Sequence, residues 1–319
     1  MVRFFIVRVL GGIVVLWIMT LVVFVMFFVA PHNVANLIAG RQATPETVAL
    51  VKHRLGLDQP VLTQYGHYMW RLVHGNLGYS FYNSSPVRSL IWSRVPVTFS
   101  LALGGAILWL LIGVSAGVLA STRPRTLADR AVTFGALFFY SMPSFLLGVI
   151  VFYLFFFRLH LAGYGWFPGN GYVAFTQNPG RWAQHLVLPW FTLALVTAAT
   201  YARLTRGSML DVLEEDYIRT ARAKGVSEPR VIYRHALRAA LTPVVTQLGI
   251  DFGTLLGGVI VVENIFGLPG LGQMAVQSVL QQDLPVVIGT IIVAATFIVV
   301  ANILVDLAYG LLDPRVRVH

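Results

Sequence analysis

Two groups of residues in this sequence could do chemistry. The first lies in an apolar run from Leu241 to Val262, where Gln247, Asp251, Thr254 and Gly258 recur at helical spacing on one face. An ionisable side chain inside such a run is costly and is a functional candidate by default. Asp251 could attract a cationic end of a substrate, or it could be a protonated or hydrogen-bonded structural acid. Either way, the polar, small stripe should face a pore or a partner helix rather than lipid. The second group lies within 203–241. Asp211, Glu214, Glu215 and Asp216 precede Arg219, Arg222 and Lys224. Acids early and bases late suit a helix dipole.

Tyr217, Ala221 and Lys224 would share one face of that helix. Gly225 should end it, and a second helix should begin at Ser227-Glu228-Pro229, with Ser227 as N-cap. Ile232, Ala236 and Ala239 or Ala240 continue it. The segment is longer than a plain connector needs. Small side chains at Ala221, Ala223 and Gly225 would let a partner protein come close, whereas an ordinary solvated connector is the blander alternative.

Other chemistries are absent. The two lysines, Lys52 and Lys224, follow no phosphate-binding glycine loop, so the chain does not bind and hydrolyse ATP in that way. There is no H-E-x-x-H and no nucleophile elbow. The eight His are scattered, so a shared metal site is not expected, and without cysteine there is no disulfide or thiolate chemistry.

The elements that must position these residues lie in a membrane. Of 319 residues, 57% are hydrophobic and 11% charged, against about 25% charged in a soluble domain. Mean hydropathy is +0.74. A soluble enzyme, a disordered chain and a fibrous protein are excluded. The net charge of +10 fits basic loops at a membrane face, and no nucleic-acid motif accompanies it.

Six stretches are long and apolar enough to span: Val9–Ala30, Val97–Ala120, Val132–Phe157, Leu186–Tyr201, Leu241–Val262 and Leu284–Leu312. The first exceeds the length of a signal-peptide core and reads as an uncleaved anchor. If the spans alternate, Arg3, Arg8, Arg123, Arg125, Arg130, the basic residues of 203–241, Arg315 and Arg317 fall on one side. That side should be cytoplasmic and should hold both termini. Asp306, near the cytoplasmic end of the last span, should pair with a loop arginine. The first outer loop carries six basic residues, but it is too long for the charge rule to count.

This divides the chain into an N-terminal spanning helix (1–30), an extracytoplasmic element (31–96) and a five-span core (97–319) that includes 203–241. Within 31–96, Thr44-Pro45-Glu46 is a helix start, with Val48, Val51 and Leu55 on one side. Gln59-Pro60 starts another, with Val61, Tyr65, Tyr68 and Leu72 on one face and Gly75 as its stop. Ser85-Pro86 starts a third, running to Arg94. All three read as short helices on the membrane surface. Residues 158–185, rich in Gly, Pro and aromatics, read as an interfacial belt or a docking surface. Between the last two spans, Glu263, Phe266, Pro269, Gly270 and Gly272 mark a tight elbow, re-entrant near the outer face, with Glu263 at the rim.

The stretch Tyr217-Ile218-Arg219-Thr220-Ala221-Arg222-Ala223-Lys224-Gly225, followed by Arg234-His235-Ala236-Leu237-Arg238, resembles the coupling loop of ABC-importer permeases, most closely the dipeptide/oligopeptide/nickel branch. Ala221 and Gly225 match the general loop pattern, and Leu237 matches its tail. Leu55-Gly56-Leu57-Asp58-Gln59-Pro60, Gly75-Asn76-Leu77-Gly78-Tyr79-Ser80, Ser141-Met142-Pro143-Ser144-Phe145 and Pro269-Gly270-Leu271-Gly272 are similar to segments of the same branch, in order. Ala30-Pro31-His32-Asn33 departs from its usual Pro-Gly-Asp-Pro.

The resemblance implies an all-α polytopic protein with the six-helix type I ABC importer permease fold, in a bacterial cytoplasmic (inner) membrane. It implies a second homologous permease, two ABC ATPase subunits that hold ATP and magnesium, and an extracytoplasmic substrate-binding protein. This chain itself would bind no cofactor. Tyr217, Arg219, Thr220, Ala221, Lys224, Gly225, His235 and Leu237 would form the ATPase contact. The cargo would be di- or oligopeptides, with nickel, glutathione or haem as alternatives. A stand-alone secondary transporter is the rival reading, but the paired, broken repeats such a transporter needs are not evident.

Overall fold

The computed structural model describes residues 2–29, 34–39 and 44–312. Pro31, His32, Asn33, Arg315 and Arg317 therefore lie outside the described residues. Among the described residues the regular elements are helices apart from one short hairpin, and 162–178 is irregular. In order, the elements are α1 (Val2–Phe24, extended by a π-helical turn Val25–Val29), α2 (Val34–Ala39), α3 (Pro45–Leu55), α4 (Val61–Val73), β1 (Tyr79–Ser80), β2 (Ser85–Pro86) and α5 (Val87–Thr122). There follow α6 (Leu127–Ser141), α7 (Ser144–Val151, continued by a π-helix Phe152–Arg158), α8 (Leu159–Leu161), α9 (Pro179–Leu213), α10 (Asp216–Ala223) and α11 (Glu228–Arg230, followed by a π-helix Val231–Ala236). The last elements are α12 (Leu237–Ile265), α13 (Leu271–Gln281) and α14 (Leu284–Leu312).

Among the described residues, five helical segments are long and apolar enough to cross a membrane: Phe5–Val29, Val87–Thr122, Ser144–Leu161, Pro179–Leu213 and Leu284–Leu307. The expected span Leu241–Val262 is not among the five, and three other expectations differ from what is found. The stretch Val132–Phe157 is not one helix. Met142 turns extended (ψ 130°) ahead of Pro143, as residues before proline favour, so α6 stops at Ser141 and α7 starts afresh at Ser144. The expected span Leu186–Tyr201 grows to 35 residues in α9. Its polar start is helical because Asn178 accepts a hydrogen bond from the Arg181 N–H at 3.0 Å and Pro179 fits the first turn. The expected surface helix Ser85–Arg94 is not separate either. Ser85-Pro86 pairs with Tyr79-Ser80, and Val87 begins a helix that runs on through Pro96 to Thr122.

Two compact units form: 1–96 with 269–303, and 97–268 with 304–319. The second unit is built around α9. A Cβ on Gly105 would lie 2.5 Å from the Leu193 side chain, one on Gly113 2.5 Å from Tyr201 Cβ, and one on Gly117 2.5 Å from Thr205 Cβ. The partner positions climb with the glycines, so α5 and α9 run parallel with their backbones close, as small residues permit in membrane helices. Trp190 fills the space over Gly104 and donates its indole N–H to the Ser100 carbonyl at 2.9 Å. The other neighbours run the opposite way. Asp129 of α6 meets Arg206 while Gly148 of α7 meets Thr192, and Gly258 of α12 meets Leu193 while Asp251 meets Tyr201.

In the first unit, Gly12 of α1 faces Val299 and Ile303 of α14, while Phe24 shares a cluster with Ile288 and Ile292. These two helices are therefore antiparallel. Phe24, Phe28, Tyr65 and Tyr68 form an aromatic group beneath α4, and the Thr20 and Tyr65 hydroxyls are 3.0 Å apart. Val61, expected on the same face as Tyr65 and Tyr68, is instead exposed. Thr44 caps α3 as expected, accepting from the Thr47 N–H at 3.3 Å, and Gly56 ends it at φ +67°. Asp283 is buried before α14, where Ser80 Oγ and Asn83 Nδ2 donate to its carboxylate.

Candidate functional site

The hairpin formed by α10 and α11 is built from its glycine corner outward. Gly225 sits at φ +74°, a conformation that costs other residues. Its N–H donates to the Arg222 carbonyl at 2.9 Å, and the Val226 N–H donates to the Ala221 carbonyl at 3.2 Å. This is the paired-bond helix ending that glycine favours, and the Ala221 and Val226 side chains pack into one cluster beside it. Across the corner, Arg222 grips Glu228 through two hydrogen bonds of 3.1 and 2.7 Å. That guanidinium pushes the Glu228 carboxyl below its ordinary pKa.

Ile218 is 0% exposed and roots α10 in an apolar cluster with Val118, Met209, Val231, Ala236 and Ala240. Tyr217, Arg219, Thr220 and Lys224 point into solvent. Ala221 is half-buried on the side facing the cluster, so the expected common face of Tyr217, Ala221 and Lys224 is split. His235 and Leu237 lie beyond the hairpin, in the π-turn and at the start of α12, and both are half-buried. The acids divide as well. Asp216 opens α10, but Asp211 belongs to the last turn of α9, and Glu214 and Glu215 link the two helices. Ser227 occupies the N-cap position with its carbonyl, which accepts from Arg230 at 2.9 Å and Val231 at 3.0 Å, but its hydroxyl makes no capping bond.

Just behind the hairpin, Asp129 at the start of α6 is 5% exposed and bound to Arg206 of α9. The guanidinium, together with the Arg125 backbone N–H at 2.9 Å, holds its carboxyl at about 2. This pair was missed from sequence. The available signal was the Thr126-x-x-Asp129 pattern, which marks a helix start and places an acid there.

Along α12, Gln247 donates to Asp251 Oδ1 at 2.9 Å. The Tyr201 side chain of α9 lies near the same carboxylate, its buried hydroxyl making no hydrogen bond of ordinary geometry, and the Trp109 ring lies 6.3 Å from the Tyr201 ring. Tyr201 and Trp109 are buried, and neither was a sequence candidate. Gly258 abuts Leu193 of the same core, at 3.2 Å from a built Cβ. The Thr254 side chain lies outside the described residues.

At the end of α12, Glu263 is fully buried and Thr98 Oγ1 donates to its Oε1 at 2.6 Å. The Phe266 ring meets Phe152 edge-on at 5.4 Å. The backbone then turns at Gly267, φ +57°, with the Leu268 N–H returning to the Glu263 carbonyl at 2.9 Å. Pro269 follows, Gly270 caps α13, and Gly272 is buried within it. Thr98, another partner unseen from sequence, makes Glu263 a tie between α5 and α12.

Comparison with known proteins matches residues 110–318 to the family described as binding-protein-dependent transport system inner membrane component. Residues 1–102 match the N-terminal membrane component of such systems. A Brucella abortus protein named as a peptide transport system permease is 44% identical over 310 residues, 97% of each chain. A Sinorhizobium fredii protein named as a peptide ABC transporter permease is 38% identical, again over 97% of each. The Escherichia coli glutathione transport system permease protein GsiC is 40% identical over 317 residues, 99% of each chain. Likeness across the whole length sets aside the stand-alone transporter. The chain belongs to the binding-protein-dependent transport system inner membrane component family, as a multi-pass inner-membrane permease of the ABC-importer type.

Proposed function

We propose that this permease forms half of a translocation pathway for di- and oligopeptides, beside a second homologous permease. A substrate-binding protein delivers cargo outside, and two ATPase subunits dock beneath the permease pair, one of them on the α10–α11 hairpin. The observation that carries the peptide assignment is near-full-length similarity to proteins named for peptide transport. Glutathione is itself a short peptide, so the glutathione permease relative fits the same cargo class.

Six crossings fit best. The 29-residue α12 is about 43 Å long by its rise, enough to span. It runs against α9 and would be the fifth crossing. The antiparallel pair α1 and α14 supports both termini on one side, and the basic residues of the hairpin segment favour the cytoplasm for that side. Residues 1–30, 31–96 and 97–319 then act as anchor, outer element and permease core.

In this reading, ATP binding closes the ATPase pair and moves α10. Tyr217, Arg219, Thr220 and Lys224 supply the exposed contact, Gly225 sets the corner, and Ala221, His235 and Leu237 back it. Ile218 passes the motion to Val118 of α5 and Met209 of α9. Two global states with different contacts then expose the pathway alternately. Gln247, Asp251 and Tyr201 are the polar groups on α9 and α12 whose surroundings would differ between those states.

The test is uptake of labelled short peptides into proteoliposomes holding both permeases and both ATPases. Uptake that requires ATP and the binding protein supports the proposal. Uptake driven by an ion gradient without ATP overturns it.

A further inference from the structure

Residues 31–96 carry six basic side chains, Arg41, Lys52, Arg54, Arg71, Arg88 and Arg94, against two acids, Glu46 and Asp58. Lys52 and Asp58 neutralise each other at 2.9 Å. Long loops cross the membrane whatever their charge, so the charge rule does not bear on the remaining positive excess.

One of these cations, Arg71, lines a cavity. It is half-buried on α4, and among the described residues it has no carboxylate partner. Residues 30–33 and 40–43 contain no acid. Burial pushes the Arg71 pKa down. A partly desolvated cation of this kind is costly until an anion joins it.

Arg71 lines a cavity of about 520 Å³, a volume within the usual range for small-molecule sites. Most of the wall is carbon, including Phe28, Val51, Leu72, Phe81 and Ile288. All these residues belong to one compact unit. Phe28 stands next to the end of the apolar segment Phe5–Val29, and Ile288 lies in the second turn of Leu284–Leu307. The cavity therefore opens where one membrane-crossing helix ends and another begins, the level of lipid headgroups.

We propose that this cavity holds an anionic phospholipid, its phosphate on Arg71 and an acyl chain against the carbon wall. A free anion would use the single cation and leave the apolar volume empty. A neutral lipid would leave Arg71 without a counter-charge.

The assembled importer, wild type and Arg71→Gln, is exchanged into mixed micelles of phosphatidylglycerol and phosphatidylcholine, and bound lipid is counted by native mass spectrometry. The wild type should retain phosphatidylglycerol over phosphatidylcholine, and R71Q should retain about tenfold less, the value of one charged hydrogen bond. Arg71→Lys, which keeps the charge, should retain an intermediate amount and shows that loss does not come from misfolding. Arg88→Gln removes an exposed cation of the same element that does not line the cavity, and should change nothing. Equal retention by wild type and R71Q overturns the proposal, as does equal loss in R88Q, which marks general surface charge. Displacement by millimolar inorganic phosphate alone reduces the site to a free-anion site and overturns the acyl chain. Displacement by a short peptide assigns the cavity to cargo instead.

Discussion

Arg206 of α9 holds Asp129 of α6 in a two-point grip, Nε to Oδ1 at 2.6 Å and Nη2 to Oδ2 at 3.0 Å. The pair fastens the start of α6 to α9 seven residues before α9 ends at Leu213, so it stiffens the base from which the hairpin projects.

Asp129→Asn should weaken this base. It keeps the shape but removes the charge that Arg206 pairs with, leaving a half-buried cation short of its counter-charge. Peptide uptake should fall several-fold, and the melting temperature of the purified complex at pH 7 should drop. The pH dependence follows from the depressed carboxyl at about 2. The stabilisation is complete above the unfolded aspartate value of about 3.9 and disappears as pH falls toward 2. Wild type and D129N should therefore differ by the same amount at pH 6 and pH 8 and converge in strong acid.

Gly225 has its glycine for conformation. Nothing lies within 4 Å of a Cβ built there, while φ is +74°. Gly225→Ala should cost about 1 kcal/mol of stability without any partner present, and Gly225→Asn should cost less than Gly225→Val. Chemical denaturation of the isolated permease reads this directly. A bulky replacement at Gly225 therefore mixes backbone strain with partner exclusion. Thr220→Trp, on an exposed helical position, tests exclusion alone and should reduce ATPase assembly without lowering permease stability.

Gly113 and Gly117 behave in the opposite way, having glycine for room. A Cβ at Gly117 would lie 2.5 Å from Thr205 Cβ and 2.8 Å from the Ala202 carbonyl oxygen. Even Gly117→Ala must push α5 off α9, at a cost of about 1–3 kcal/mol. Fluorescence-detected size exclusion after graded heating should show the loss. Gly135→Ala, on α6 where a Cβ meets nothing within 4 Å, should be neutral by the same assay.

Glu263 depends on Thr98. Thr98→Val removes the donor at 2.6 Å and should destabilise the permease by about 1–3 kcal/mol. Glu263→Gln keeps an acceptor for Thr98 and should cost less than Glu263→Ala. Thermal unfolding of the three variants in one detergent orders them.

The local signals were the legible ones. Thr44-Pro45-Glu46 announced α3, and Gly225 announced the corner of the hairpin, because capping and positive φ are written in the residues that carry them. Apolar length found the spans but not their true ends. The break at Pro143, between Ser141 and Ser144, is a local signal that apolar length alone overrides, and the polar start of α9 looks like loop until Asn178 is seen to cap it. The partners in the candidate sites were less visible still. Thr98 is 165 residues from Glu263, and Asp129 is 77 from Arg206. Nor could the glycines of α5 name their partner, because which helix a small residue faces is set by tertiary packing.

The most direct test of the account is where the ATPase sits. The chain has no cysteine, so Thr220→Cys introduces a single thiol on the exposed side of α10. A short thiol–amine cross-linker applied to the assembled importer should join position 220 to an ATPase subunit, with a yield that changes when a non-hydrolysable ATP analogue binds. Tyr82→Cys, exposed on the hairpin between β1 and β2, should give no ATPase product. No ATPase adduct at 220 in an active complex, or an equal adduct at 82, would contradict the coupling role of the α10–α11 hairpin.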